Sequence, residues 1–190
     1  MKFKFLEVQE SDMLEKIFAF RYKIFLEIYP EYLQSIGFLD GKEHDKYDPY
    51  SLHFAALDDD GEICATVRLI YNSPFGYPTE NSMTFDTCLF EREKLGEMSR
   101  IFVDAKYRNM QTTKIIIQEV KKFMHYKMIQ LGIEYTYGSL EKNFLRLLRI
   151  YKMSYNTIGK EQMHGYFGSR YPCILYTKQL GIDNPELMNL

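Results

Sequence analysis

No stretch of this chain approaches the roughly 18 consecutive apolar residues that a membrane-spanning helix needs. The opening, MKFKFLEVQE, alternates charged and apolar residues and lacks the apolar core of a secretion signal. Cysteine is scarce. Cys64, Cys88 and Cys173 are far apart and odd in number, which argues against a disulfide framework or a zinc site and predicts reduced thiols in a cytoplasm. Neither sign of charge dominates: the net charge of −2 indicates no general affinity for nucleic acid or for an anionic membrane. Internal repeats and low-complexity linkers are absent, so residues 1–190 read as one domain. Tryptophan is also absent, yet the chain has 16 Tyr and 14 Phe, which predicts a large core or a pocket lined by rings. With 46% hydrophobic and 26% charged residues the composition is that of a globular protein. A chain of this length buries roughly 70% of its unfolded surface and needs no covalent staple.

Periodicity orders the elements. Residues 2–8 alternate and predict a strand. Asp12 with Glu15 signals a helix start, and Leu14, Ile17, Phe18, Arg21, Phe25 and Ile28 follow at helical spacing. Pro30 ends that helix, and residues 30–50 predict a long loop. Strands over 51–58 and 62–72 flank the turn DDDG. An irregular stretch over 73–95 precedes a central strand over 96–104. The longest helix spans 109–131 and closes at Gly132. A strand over 133–138, a helix over 140–151 and a last strand over 172–179 complete the order. Antiparallel hairpins followed by one β-α-β crossover predict a mixed, mostly antiparallel sheet flanked by helices, an α/β (α+β) domain. A Rossmann fold is excluded, because no glycine-rich turn follows the first strand.

Charged residues lie where burial is expected. Arg21 interrupts the apolar stripe of the first helix, and a buried guanidinium demands a partner or must reach the edge. Glu43, Asp45 and Asp48 crowd into six residues of the predicted loop. Arg68 lies among apolar strand residues, and so do Glu97 and Arg100. Three arginines and four carboxylates therefore suggest one buried polar network, an arrangement that often marks a site. His53 and His164 are further titratable candidates, with His53 reading first as a hydrogen-bonded core residue.

Four segments, RYKIF (21–25), EHDKYD (43–48), VRLI (67–70) and EMSR (97–100), stand in an order and at intervals that resemble the acyl-homoserine-lactone (autoinducer) synthases. They are also similar to the long-chain N-acyl amino acid synthases and the exosortase-associated acyltransferases. YDPYSLHFAAL (47–57) and HGYFGSRYP (164–172) are closer to those relatives. The resemblance covers about residues 20–105 well and the rest loosely. It implies a fold of the GNAT acyltransferase superfamily, whose sheet splays to admit a thioester. The implied reaction is transfer of a fatty acyl group to the amine of an amino acid or similar small molecule.

The same resemblance assigns roles. Glu97 would be the base, and backbone N–H groups around Ile101, Phe102 and Val103 would meet the oxyanion near a bulge. A bulge is also what would turn Glu97 and Arg100, an odd number of positions apart, toward one site. Ser99 would donate to the leaving thiolate. Arg21, Phe25, Glu43, Asp45, Asp48, Arg68, Arg100 and His164 would bind substrate, with Asp45 and Asp48 gripping the acceptor's ammonium or holding Arg68, and Arg68 meeting a carboxylate. Alternatively, Glu97 only holds Arg100 or Arg21 in a structural pair.

The chain departs from the pattern twice. Without tryptophan after the first helix, Tyr29 or Tyr32 must fill that space, which argues against an S-adenosylmethionine-type acceptor. The donor turn reads Arg108-Asn109-Met110-Gln111-Thr112-Thr113, with Gln111 and Thr113 where coenzyme A enzymes have glycines. Side chains there hinder the backbone's approach to a pyrophosphate. The expected donor is therefore an acyl carrier protein rather than coenzyme A, with no permanently bound cofactor and no metal. An acidic carrier would dock on Lys142, Arg146, Arg149 and Lys152, or on Lys121, Lys122 and Lys127. An autoinducer synthase, an acetyl-coenzyme A acetyltransferase and a non-catalytic acyl-binding module are the alternatives.

Overall fold

The structure, a computed structural model, describes residues 2–37 and 40–189. In chain order the elements are β1 (Lys4–Val8), α1 (Ser11–Ile28), α2 (Pro30–Ile36), β2 (Ser51–Leu57), β3 (Ile63–Tyr71), α3 (Pro78–Ser82) and β4 (Leu95–Val103). They continue with α4 (Met110–Gln130), β5 (Tyr135–Leu140), α5 (Lys142–Ile150), β6 (Asn156–Thr157), β7 (Gln162–Met163), β8 (Ser169–Tyr176) and α6 (Thr177–Asp183). The strands lie in the order β1-β2-β3-β4-β5-β8-β6, with β7 paired to β8. Every pairing is antiparallel except β4 with β5, which the crossover helix α4 joins in parallel. The expected mixed, mostly antiparallel sheet is therefore what forms.

The alternation of the strands decides the layers. β2 and β3 are buried along nearly their whole length, because helices cover both faces. On one face α4 lays Ile116, Ile117, Val120, Met124 and Met128 against Val67, Leu69 and Met98. On the other, Ile17 of α1 meets Val8, Ala55 and Leu57. A third cluster joins Ile70, Leu95, Tyr137 and Ile174 to Tyr47 and Tyr77 from the connecting segments. Many of the described rings pack within these clusters or line the cavity described below, while Phe75, Tyr126 and Tyr166 are exposed.

Three expectations are corrected. Pro30 ends no more than α1: it is the first residue of α2, where its missing N–H costs nothing. The predicted loop over 30–50 is thus partly helical, and its positions 38 and 39 lie outside the described residues. The last strand runs over Ser169–Tyr176, and Thr177 begins α6 instead of continuing it. α1 starts at Ser11, so Asp12 lies in its first turn and does not cap it.

Two irregularities of β4 shape the site. Arg68 faces Ser99 but Thr66 faces Phe102, three residues along β4 against two along β3. That is a bulge, with Arg100 at φ 53°. Secondly, β4 pairs with β5 only through Leu95, Gly96 and Glu97. Beyond Glu97 the two strands diverge, β4 following β3 to Val103 and β5 following β8 to Leu140.

Candidate active site

Where the strands part, a cavity of about 260 Å³ opens. Glu97, Ser99, Arg100, Ile101 and Phe102 of β4 line one side, and Ser139 and Leu140 of β5 the other. Phe25 and Tyr29 from α1 and its end, His164, Phe167 and Arg170 near β8, and Glu141 and Phe144 at the start of α5 also line it. Among the described residues no group of three or more His, Cys, Asp or Glu side chains could hold a metal ion.

Behind the cavity lies a closed charge network of three arginines and three carboxylates. Arg21, fully buried, donates through Nε to Glu43 and through Nη1 to Asp48 Oδ1 at 2.7 Å. Arg68 reaches Asp45 Oδ1 at 2.7 Å and Asp48 Oδ1 at 2.8 Å, and donates through Nε to Ser99 Oγ at 3.0 Å. Arg100 reaches Glu43 Oε1 at 2.6 Å and Asp45 Oδ2 at 3.1 Å. Each ion meets at least two of opposite sign, which is what buried charge requires. Burial pushes the Glu43 carboxyl upward, but Arg100 and Arg21 outweigh it and hold it down at about 2. Asp45 and Asp48 are likewise lowered by their arginines against the effect of burial.

Glu97 stands outside this network, contrary to the count of four carboxylates and to the alternative of a pair with Arg100 or Arg21. It is 2% exposed. Its two oxygens accept from the backbone N–H and the hydroxyl of Thr79, each at 2.9 Å. Burial pushes its carboxyl up to about 7, and the Thr79 hydrogen bonds and the Arg68 charge only partly offset that rise. Sequence reasoning missed Thr79. The signal was Pro78-Thr79-Glu80, a helix start inside the stretch read as irregular, with Glu80 Oε1 accepting from Tyr77 N at 2.8 Å.

Other expected residues fall in different places. Arg68 is 1% exposed and its donors are spent on Asp45, Asp48 and Ser99, so of the two expected roles for Asp45 and Asp48 the one seen is holding Arg68. Val103 is not in the cavity lining; its carbonyl accepts from Arg108 Nε at 2.7 Å. Arg108, Gln111, Thr112 and Thr113 sit at the start of α4 and also lie outside that lining. There Asn109 already takes the N–H of Thr112 with its side chain and that of Thr113 with its carbonyl. His53 is buried, and desolvation pushes it down to about 4, as a neutral core histidine. His164 contacts Ser82 Oγ at 2.7 Å, and burial lowers its pKa. Tyr29 and Tyr32 both pack on Phe25 and Phe167, with ring centroids 4.8–6.0 Å apart in all four contacts. Lys121 is no docking residue: it is 5% exposed and bonded to Asn184. Lys122 and Lys127 are paired with Glu119 and Glu7.

Comparison with known proteins agrees with this geometry. Residues 20–118 match the family model described as acetyltransferase (GNAT) domain. No curated protein matches the chain. Among solved structures, the CoA-dependent acyl-homoserine lactone synthase BjaI, with MTA, superposes at a TM-score of 0.72 with 18% identity, over 94% of this chain and 83% of that one. The AHL synthase LasI superposes at 0.71 with 14% identity, over 96% and 93%. FeeM, an N-acyl amino acid synthase from uncultured soil microbes, superposes at 0.69 with 12% identity, over 100% and 97%. At such identities the likeness is one of fold.

Proposed function

The chain belongs to the acetyltransferase (GNAT) domain family and is an N-acyltransferase, and from that premise we propose that it transfers an acyl group from a carrier-protein thioester to the amine of an amino acid. The observation that carries the reading is Glu97, a buried carboxyl raised to about 7 and lining the cavity at the strand divergence. An ammonium does not attack a thioester; it must first lose a proton. A base with a pKa near the working pH does this best. Ionised Glu97 takes that proton, directly or through one water. The amine lone pair then forms the C–N bond, and the carbonyl oxygen becomes an oxyanion. At the bulge, Arg100 and Ile101 have no partner in the β3 register, which supports backbone N–H donation to that oxyanion from Ile101, whereas Phe102 is paired with Thr66. Collapse breaks the C–S bond. Ser99 Oγ, which accepts from Arg68, keeps its own hydrogen to donate to the leaving thiolate. Protonated Glu97, directly or through water, gives its proton to the thiolate and takes the second proton from the nitrogen, so the products are an amide and a free thiol with one proton left for solvent. In this reading Arg21, Glu43, Asp45, Asp48, Arg68 and Arg100 are a positioning network: they hold the bulge and Ser99 and do not touch substrate.

Asn109 supports a carrier-protein donor, because it takes the N–H groups of Thr112 and Thr113 that a pyrophosphate would need, and so do Gln111 and Thr113, whose side chains stand where coenzyme A enzymes have glycines. Lys142, Arg146, Arg149 and Lys152 are all exposed and remain the candidate dock for an acidic carrier. The test is mass spectrometry of lipid extracts from cells expressing the wild type or Glu97→Gln. A new N-acyl amino acid found only with the wild type is the expected result and names both halves of the product. Identical extracts, repeated with purified acyl carrier and acyl-coenzyme A supplied in vitro, would overturn the proposal.

A further inference from the structure

Two arginines line the cavity, and their electrical situations differ. Arg100 is saturated by Glu43 and Asp45. Arg170, on β8, is not. Its Nε donates to the Phe167 carbonyl at 3.1 Å, its Nη1 to the Ser139 carbonyl at 3.4 Å and its Nη2 to the Tyr29 hydroxyl at 2.7 Å. All three acceptors are neutral. Among the described residues, no carboxylate lies within ion-pair distance of Arg170. A guanidinium has five N–H groups. One on each terminal nitrogen is therefore unspent, the pair that meets a carboxylate as a fork.

Next to this fork is a second unsatisfied group. Ser139 lines the same cavity, and its buried Oγ has no hydrogen-bond partner. A buried hydroxyl without a partner and a half-buried cation without a counter-ion are each unfavourable. One ligand relieves both: a small anion with oxygen acceptors. The strand register places that anion. Ser139 lies two residues beyond Tyr137, the partner of Glu97 across the last paired rung, and so on the same face of β5. The anion thus sits in the chamber that holds the candidate base, while Arg108 and the start of α4 lie outside it.

We infer that Arg170, steadied by Tyr29 and joined by Ser139, binds the carboxylate of the acyl acceptor, so that the acceptor is a free amino acid and not a simple amine. The inference rests on the acyltransfer reading for the meaning of "acceptor", but its test is read by binding alone. Arg170 takes the role that sequence reasoning gave to Arg68, whose donors are spent on Asp45, Asp48 and Ser99.

The experiment is calorimetric titration and thermal-shift measurement on the purified chain. The probes are the common L-amino acids at millimolar concentration, each beside its own carboxamide, which keeps the amine and loses the anion. At least one amino acid should bind the wild type, and its carboxamide should bind about tenfold more weakly or worse. Arg170→Gln should weaken the amino acid about tenfold and leave the carboxamide unchanged; Arg170→Lys should fall between. Ser139→Ala removes a hydroxyl that no protein group hydrogen-bonds. It should weaken the amino acid severalfold, and it serves if Arg170→Gln fails to fold. Equal binding of acid and amide, no binding of any amino acid, or unchanged affinity in Arg170→Gln and Ser139→Ala would each overturn the inference. So would a loss confined to an acyl-phosphopantetheine probe, which would assign the arginine to the donor's phosphate. Because no turnover is needed, a missing N-acyl product would strike the proposed reaction and leave this result standing.

Discussion

Replacing Glu97 with glutamine separates the proposed base from its electrostatic cost. The carboxyl titrates at 4.5 when free and at about 7 in the fold, because burial penalises its charged form. Below pH 4.5 it is protonated in both states and carries no penalty. Between 4.5 and about 7 the unfolded chain ionises it and the folded chain does not, so rising pH favours unfolding; above that the loss is complete. Moving the carboxyl over that interval is worth about 3 kcal/mol. Glutamine is uncharged throughout and can keep both contacts, its carbonyl accepting from Thr79 N and its amide donating to Thr79 Oγ1. Glu97→Gln should therefore match the wild type near pH 4 and exceed it by about 3 kcal/mol near pH 8, while losing at least about tenfold in turnover near pH 7. Urea unfolding at a series of pH values gives the first quantity, and single-turnover acyl transfer the second. Stability curves that run parallel from about pH 5 to pH 8 would refute the raised pKa, and unchanged turnover would refute the base.

Three further substitutions probe the surroundings, and one double variant the surface. Arg21→Ala leaves Glu43 and Asp48 short of a partner in the interior, and should cost about 3–5 kcal/mol, read as a lowered melting temperature; an unaltered melting curve would sink the buried network. The same network predicts acid unfolding: Glu43, held at about 2, contributes stability that is whole above 4.5 and disappears as pH falls through about 2, and Arg100→Gln should flatten that limb in a urea–pH series. Thr79→Val removes the hydroxyl that favours the ionised form of Glu97, so the rising limb of the pH–rate profile should move above 7; an unmoved limb would show that the Thr79 hydroxyl does not tune it. Arg146→Glu with Arg149→Glu should raise KM for an acyl-carrier thioester, more at low salt than at high salt, and leave KM for the acceptor unchanged; equal KM for the carrier would remove α5 as the dock.

Local pattern and pairing necessity account for what was readable from the residues alone. Alternation and helical spacing act over a few residues, so β1 to β5, α1 and α4 were placed within a few positions of where they form. An arginine in an apolar stripe demands an anion, and the crowd of acids at 43–48 was the nearest supply; Arg21 indeed meets Glu43 and Asp48. Glu97 and Arg100, an odd number of positions apart, could face one site only through a bulge, as the resemblance implied, and the register contains one. What stayed hidden lacked any local signature. Lys121 looks like a surface lysine until α6 and the residues after it fold over it and supply Asn184. Thr79 sits in a segment without periodicity, and only the path of that segment across Ile70, Leu95 and Tyr137 brings it to Glu97. Tyr29 and Arg170 are 141 positions apart, and the contact between them exists only because α1 and β8 close over the same gap. The residue types on the chain determined that charge would be buried and that it would be paired. Which carboxyl was left out of the pairing, and so became titratable near neutrality, was decided by packing, because desolvation depends on what the whole fold places around a group and not on its neighbours in sequence.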